Sequence, residues 1–157
     1  MKTTTFIIFC MILCASVKMN YAQAPDWSRV LSSSPYDVQE GRVAVADENL
    51  NVYMAAALSG PVTFDGTVYS SVGRRDLLIT KMRKDGTTLW KKQFNAQAGG
   101  ILLPQAVNVD KKLNIYLLCY FSGSVKIGNS TLVSDDNHNA FIAKFNSSGN
   151  GIWATSY

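Results

Sequence analysis

The sequence predicts an all-β protein built from a tandem repeat of 63 residues, and three observations support this prediction. Three tryptophans, Trp27, Trp90 and Trp153, are separated by equal intervals (90 − 27 and 153 − 90, both 63). Shifting the chain by this interval aligns many further identical residues without a gap, which is the signature of an internal repeat. The apolar stretches alternate with polar turns and lack the three- and four-residue spacing of an amphipathic helix.

The aligned identities fall in turns and on strands. Gly86 and Gly149 recur in polar segments, where a tight hairpin needs a residue that accepts a positive φ. Asp47 and Asp110 each open a second short turn, and their side chains are expected to accept hydrogen bonds from nearby backbone amides. Other aligned pairs are Asn51 and Asn114, Tyr53 and Tyr116, Ser59 and Ser122, Gly60 and Gly123, Ile79 and Ile142, and Lys81 and Lys144.

Each unit is predicted to contain four main strands and a short excursion between the second and third of them. Alternating or continuous apolar residues bounded by turn residues identify these strands. Two serine- or asparagine-rich stretches, 32–35 and 135–139, are predicted to be polar loops. The predicted strands are 42–46, 51–58, 62–64, 67–70, 77–82 and 88–94 in the first unit, and 106–109, 114–121, 125–127, 131–133, 140–145 and 151–157 in the second.

Four strands per repeat, joined by tight hairpins, are the pattern of β-propeller blades. A blade buries its faces only against its neighbours, so the tryptophans are expected to pack between blades. We therefore predict tandem four-stranded antiparallel blades, with units at residues 27–89 and 90–152 and the start of a third at 153–157. Propellers close with about four to eight blades, so residues 23–157 are expected to be an incomplete propeller, either a fragment of a longer protein or one chain of a multichain ring.

The repeated residues also carry a family resemblance. Both copies contain the order Asp-x-x-x-Asn-x-Tyr, then Ser-Gly, then Lys-x-x-x-x-Gly-x-x-x-Trp. This order resembles the seven-bladed β-propeller repeat family (SBBP repeats), found in secreted and surface proteins of bacteria, notably Bacteroidetes. The resemblance implies a propeller fold and brings no catalytic residues. Leu50 and Leu113 replace the family's glycine before the turn asparagine, and Asn139 replaces the aspartate that Asp76 keeps.

The N-terminus has the organisation of a secretory signal peptide. Lys2 supplies the positive charge, residues 6–17 form an apolar run too short for a membrane span, and cleavage is predicted near Ala22. Residues 1–22 are therefore expected to be removed, leaving a secreted chain that is extracellular, on the cell surface or periplasmic. A lipoprotein signal at Cys14 is the alternative, although the residues before it are not small. No integral membrane segment is expected in the mature chain.

No group of residues predicts a catalytic, cofactor or metal site. His138 is the only histidine and has no further zinc ligands near it in sequence. Lys81 and Lys144 are expected to cover a strand face with their stems and keep their amines in water. Cys119 is expected to be a buried free thiol. Nucleotide-binding loops, nucleophile elbows and metalloprotease motifs do not occur in the sequence.

The leading functional hypothesis is a non-enzymatic secreted or surface propeller that serves as a binding scaffold for a protein or glycan. Residues shared by the units are structural, whereas loop residues differ, and loops on a repeated scaffold commonly carry recognition. The alternative is the N-terminal part of a propeller enzyme, a glycan hydrolase or lyase or a quinone-dependent dehydrogenase, with its active site in other blades. A net charge of +4 without a basic stripe disfavours nucleic acid. Open blade edges favour self-association.

Overall fold

The described part of the protein is all-β. The structure is a computed structural model that describes the backbone of residues 32–33 and 39–157, and the side chains of 41–134 and 139–157. This part contains eleven strands and no helix, and therefore no helix with the length and apolar character of a membrane span. The strands are β1 (Ser32–Ser33), β2 (Gln39–Ala46), β3 (Val52–Leu58), β4 (Pro61–Phe64), β5 (Thr67–Ser70), β6 (Asp76–Met82), β7 (Thr88–Phe94), β8 (Ile101–Val109), β9 (Ile115–Ile127), β10 (Ser130–Phe145) and β11 (Gly151–Ser156).

Some predictions lie outside the described residues. These are the signal peptide at 1–22, the first aligned tryptophan, Trp27, and the surroundings of the His138 side chain. The main strands predicted between residues 42 and 157 are confirmed, and they pair in an antiparallel manner throughout.

Two four-stranded sheets have the same strand order. The first sheet pairs β2, β3, β6 and β7 in that order, and the second sheet pairs β8, β9, β10 and β11. A third, smaller sheet consists of β1, β4 and β5. The strand pairings of the described residues form open sheets, so this part of the chain does not itself close into a ring.

Three details differ from the sequence prediction. Ser32–Ser33 is a short strand that pairs with β4 rather than a loop. The second unit has no break between its second strand and the excursion, because β9 continues through Gly123. The first unit breaks at residues 59 and 60, immediately before Pro61, which has no N–H for a sheet hydrogen bond, whereas Ser124 stands at the position equivalent to Pro61. β10 also continues through the predicted loop, with a register shift between Ser134 and Asn139.

The main hydrophobic core lies between the two four-stranded sheets. We call the side of each sheet that carries Tyr53 or Tyr116 its front face, and the opposite side its back face. The front face of the first sheet packs on the back face of the second. The first sheet contributes Tyr53, Ala55, Leu77 and Ile79, and the second contributes Ile115, Leu117, Cys119, Phe121, Phe141, Ala143 and Phe145, all with at most 1% of their surface exposed.

The predicted packing role of the repeated tryptophan is confirmed for Trp90. Its indole Nε1 donates a hydrogen bond to the carbonyl oxygen of Ser147, 3.0 Å away in the second unit. The ring rests on Gly149, where an added Cβ would lie 2.9 Å from the indole. Gly149 also has a φ of 75°, so glycine meets both the turn conformation and the close approach. Trp153, in contrast, is 39% exposed.

The back face of the first sheet is covered by the β4–β5 hairpin. Val62 and Phe64 join a second buried cluster with residues of β3 and β6. The Lys91 ammonium on β7 holds the tip of this hairpin, donating to Thr67 Oγ1 at 2.9 Å and lying 3.8 Å from the Asp65 carboxylate. Both faces of β6 are therefore buried along its whole length.

Asp76 joins the excursion to the segment that links the two sheets. Its side chain is fully buried and accepts hydrogen bonds from four donors. The backbone amides of Val72, Gly73 and Ala96 donate at 2.7, 3.2 and 2.9 Å, and Gln93 Nε2 donates at 3.2 Å. Because these donors belong to separate segments, one carboxylate fixes the loop after β5 against the start of the inter-sheet link.

Candidate functional site: a cleft between two repeated turns

A cleft of about 200 Å³ lies between the two repeated turns, at one edge of the paired sheets. The turn at 47–50 connects β2 to β3, and the turn at 110–113 connects β8 to β9. We call this depression the inter-turn cleft. Its lining residues are Ala46, Asp47, Glu48, Asn49, Val109, Asp110, Lys111 and Leu113.

Asp47 organises the first turn, as the sequence predicts. Its Oδ1 accepts hydrogen bonds from the backbone amides of Asn49 and Asn51, both at 2.9 Å. Its Oδ2 accepts from Asn51 Nδ2 at 2.9 Å and from the Tyr53 hydroxyl at 3.1 Å. The bond to Tyr53 was not predicted, although the recurrence of tyrosine two residues after the asparagine was the signal for it.

Asp110 makes the same set of contacts in the second turn. Its Oδ1 accepts from the backbone amides of Lys112 and Asn114 at 2.9 and 2.8 Å. Its Oδ2 accepts from Asn114 Nδ2 at 2.8 Å and from the Tyr116 hydroxyl at 3.3 Å. The aspartate, asparagine and tyrosine of the repeat therefore act together to hold the wall of the cleft.

A leucine with left-handed backbone occupies the same position in both turns. Leu50 and Leu113 each have a φ of 62°, which costs a residue with a Cβ about 1–2 kcal/mol relative to right-handed backbone. Glycine would avoid this cost. Leu50 nevertheless exposes 60% of its surface, and Leu113 lines the cleft. Neither side chain is fully buried in the core, so apolar burial does not offset the full cost of the left-handed backbone.

The repeated lysines lie against the tyrosine rings behind the cleft. Lys81 Nζ is 4.8 Å from the ring centroid of Tyr53, and Lys144 Nζ is 5.2 Å from that of Tyr116, as in cation–π contacts. Lys81 as a whole is only 7% exposed, because the second sheet covers its stem. Lys144 is half-buried, because nothing in the described chain covers the second sheet in the same way.

The fold lowers the pKa of both turn aspartates, so both are ionised at neutral pH. Burial favours a higher pKa for Asp47, but hydrogen bonds from Asn51, Tyr53 and Asn49 together outweigh it and lower the pKa. For Asp110 the largest influence is the hydrogen bond from the Asn114 side chain, which lowers the pKa despite partial desolvation. A glycosidase needs one carboxyl group with a raised pKa as the proton donor. These two carboxylates therefore lack that property.

Acidification is expected to destabilise the protein below pH 3.8, the ordinary pKa of aspartate. Because the folded state lowers the pKa of Asp47 and Asp110, their stabilisation is complete above that value and is lost as the pH falls through their folded pKa. Urea unfolding midpoints measured from neutral pH to about pH 2 would check this. In the double variant Asp47→Asn and Asp110→Asn, the unfolding midpoint should fall less steeply as the pH is lowered. An unchanged dependence on pH would show that these two carboxylates do not cause the acid destabilisation.

Cys119 is buried and free, as predicted. None of its surface is exposed, and its Sγ lies 3.3 Å from the carbonyl oxygen of Tyr120. Burial raises the pKa of the thiol far above its ordinary value, so the reactive thiolate is disfavoured. Cys119 belongs to the core between the sheets and does not reach the cleft.

The inter-turn cleft has the chemistry of polar recognition. Glu48 adds a negative charge to the wall that already carries the Asp47 carboxylate, whereas Lys111 places a positive charge beside the Asp110 carboxylate, and the Glu48 and Lys111 side chains are both exposed. Among the residues that the structure describes, no three of His, Cys, Asp and Glu are grouped so as to hold a metal ion. No protein-family model matches the chain, and no curated protein matches it.

Proposed function

We propose that the protein is a non-enzymatic, secreted or surface-exposed propeller-repeat protein that acts as a binding scaffold, with the inter-turn cleft as a contact site for a glycan or protein. The two sheets of equal strand order support the repeat architecture, together with the resemblance to SBBP repeats. Secretion rests on the signal-peptide pattern of residues 1–22. The single observation that carries the binding role is that the repeated polar residues of the turns make contacts within the fold, whereas the residues that differ between the turns face solvent.

The repeated polar residues are used within the fold. Asp47 and Asp110 accept the hydrogen bonds of their own turns, and the repeated lysines contact tyrosine rings. The residues that differ between the turns, in contrast, face solvent: Glu48 and Asn49 in the first, Lys111 and Lys112 in the second. A scaffold that fixes its turns identically and varies their exposed tips is suited to recognition.

The strained leucines support the same proposal. Backbone strain that persists at an exposed position is a feature of functional sites, because stability alone would favour its removal. Leu113 adds an apolar side chain to a cleft that Ala46 and Val109 also line, next to its charged residues. Such a mixture suits the apolar face and hydroxyl groups of a sugar, or an apolar side chain on a protein ligand.

The test uses the purified secreted protein on a glycan array and on an array of extracellular proteins. Binding of a defined class of glycan or protein is expected, and Leu113→Gly should weaken it at least about tenfold, a loss of about 1.4 kcal/mol. The same substitution relieves the left-handed strain, so the unfolding midpoint should stay the same or rise. Loss of binding therefore cannot be attributed to unfolding.

A matched variant lies in a turn that does not line the cleft. Lys84→Glu changes an exposed charge in the β6–β7 turn and should leave binding unchanged. Lys111→Glu, which replaces the positive charge beside Asp110 with a second negative charge, should weaken binding. The proposal is overturned if the folded protein binds nothing on either array, or if Leu113→Gly and Lys111→Glu bind as well as the original chain.

A further inference from the structure

The front faces of the two sheets present equivalent rows of side chains. The strands pair in the same register within each sheet, so residues that are 63 apart occupy equivalent places in the two sheets. The rows of the first sheet are Tyr53, Lys81 and Trp90; Ala55, Ile79 and Lys92; and Ala57, Leu77 and Phe94. Those of the second sheet are Tyr116, Lys144 and Trp153; Leu118, Ile142 and Thr155; and Tyr120, Ala140 and Tyr157.

These equivalent rows differ sharply in burial. In the first sheet Tyr53, Ala55 and Ile79 are buried, because the back face of the second sheet covers them. Their equivalents in the second sheet, Tyr116, Leu118 and Ile142, are only half-buried. In the second sheet Tyr120, Trp153 and Tyr157 are 45%, 39% and 77% exposed. Along β9 the burial alternates, with the back-face residues buried and the front-face residues half-exposed or exposed. The front face of the second sheet is therefore an apolar and aromatic surface without a cover in the described chain.

The existing interface shows what such a face packs against. Trp90 donates its indole N–H to the Ser147 carbonyl and lies on Gly149, in the turn between β10 and β11 of the next sheet. Phe94, at the other end of the same strand, packs on Phe145 with ring centroids 5.2 Å apart. Trp153 and Tyr157 are the repeat equivalents of Trp90 and Phe94 and lack such partners in the described part.

We propose that the front face of the second sheet is a docking surface for a third sheet of the same repeat. That sheet presents a back face of apolar residues and a turn with glycine at the position of Gly149, which receives Trp153. The proposal rests on the repeat architecture advanced above, and it is continuous with the interface already formed by the first two sheets. It assigns to Trp153 and Tyr157 the roles that Trp90 and Phe94 have in that interface.

A second copy of the present chain does not offer a free back face. The back face of its first sheet is already buried, with Ala56, Leu58 and Leu78 fully inaccessible. The back face of its second sheet is covered by the first sheet, where Phe141 and Phe145 are fully buried. The partner that reproduces the contacts of Trp90 and Phe94 is therefore a repeat sheet whose back face is free.

The decisive experiment extends the full chain by one unit. A second copy of residues 95–157 is appended after Tyr157, which continues the register because Tyr157 occupies the position of Phe94. The extended protein should unfold at a higher urea concentration than the original. Trp153→Phe should lower the midpoint of the extended protein by about as much as Trp90→Phe lowers that of the original, and should leave the original unchanged.

Each outcome decides the proposal. An appended unit that is protease-sensitive and adds no stability overturns it, as does an extended protein that Trp153→Phe leaves unaffected. Dimerisation of the original chain that Trp153→Phe abolishes, measured by sedimentation, would also overturn it, in favour of self-association. Failure of Trp90→Phe to destabilise the original chain would instead contradict the repeat packing itself. None of these measurements involves a ligand, so their failure is distinguishable from a failure to bind the arrays.

Discussion

Phe145→Ala is expected to lower the free energy of unfolding by about 3–5 kcal/mol, the range for a large aromatic residue removed from a packed core. Phe145 is fully buried on the back face of the second sheet. Its ring packs on Phe94 of the first sheet, with centroids 5.2 Å apart and planes inclined at 57°. The substitution therefore removes apolar area and leaves a cavity at the interface that holds the two sheets together.

Urea unfolding of the purified chain measures this effect, and Tyr157→Ala is its matched control. Tyr157 is the repeat equivalent of Phe94 and an aromatic residue of similar size, but it is 77% exposed. Its removal should change the free energy of unfolding by less than about 0.5 kcal/mol. If the two variants lost similar amounts of unfolding free energy, burial of Phe145 between the sheets would not be a main source of stability.

Asp76→Ala is expected to cost about 3 kcal/mol or more, because hydrogen bonds to a charged group contribute about 1.5–3 kcal/mol each and their buried donors would lose their acceptor. The carboxylate accepts from three backbone amides and from Gln93 Nε2 while fully buried. Its removal leaves the Ala96 amide without this partner in a buried position. We expect the loop after β5 and the inter-sheet link to loosen together.

Asp85→Ala provides the comparison for this prediction. Asp85 is exposed and accepts a hydrogen bond from the backbone amide of Thr87 at 2.9 Å. Its loss should cost less than about 1 kcal/mol, since water replaces the lost contact. Hydrogen exchange of the Ala96 amide should accelerate in Asp76→Ala and remain unchanged in Asp85→Ala. Equal stability of the two variants would exclude a structural role for the buried carboxylate.

Much of the fold could be predicted because the repeated residues determine local backbone structure. Glycine in a turn, an aspartate that caps its own turn and alternation along a strand are short-range effects, and the structure contains each of them. Gly86 and Gly149 both have a positive φ in the turn between the last two strands of their sheets. The assignment of Trp90 to the inter-sheet contact followed from its recurrence and is confirmed.

The sequence was less informative where the two units differ in context. The repeat predicted equal strands, but replacement of Pro61 by Ser124 allows β9 to continue where the first unit breaks. It predicted equal exposure for Lys81 and Lys144, but burial of Lys81 depends on a sheet that covers only one of them. The cleft was not predicted, because it arises from the spacing of two turns that are 63 residues apart in sequence.

The packing of one front face on the next back face has a consequence for how such a protein can change in size. Because the front face of one sheet differs from the back face of the next, the same contact can form again with each added sheet. The angle between successive sheets then decides whether they close into a ring or form an open array. Duplication of a 63-codon segment would therefore add a member without the need for a new contact surface. Selection on length could then act separately from selection on the exposed turn residues.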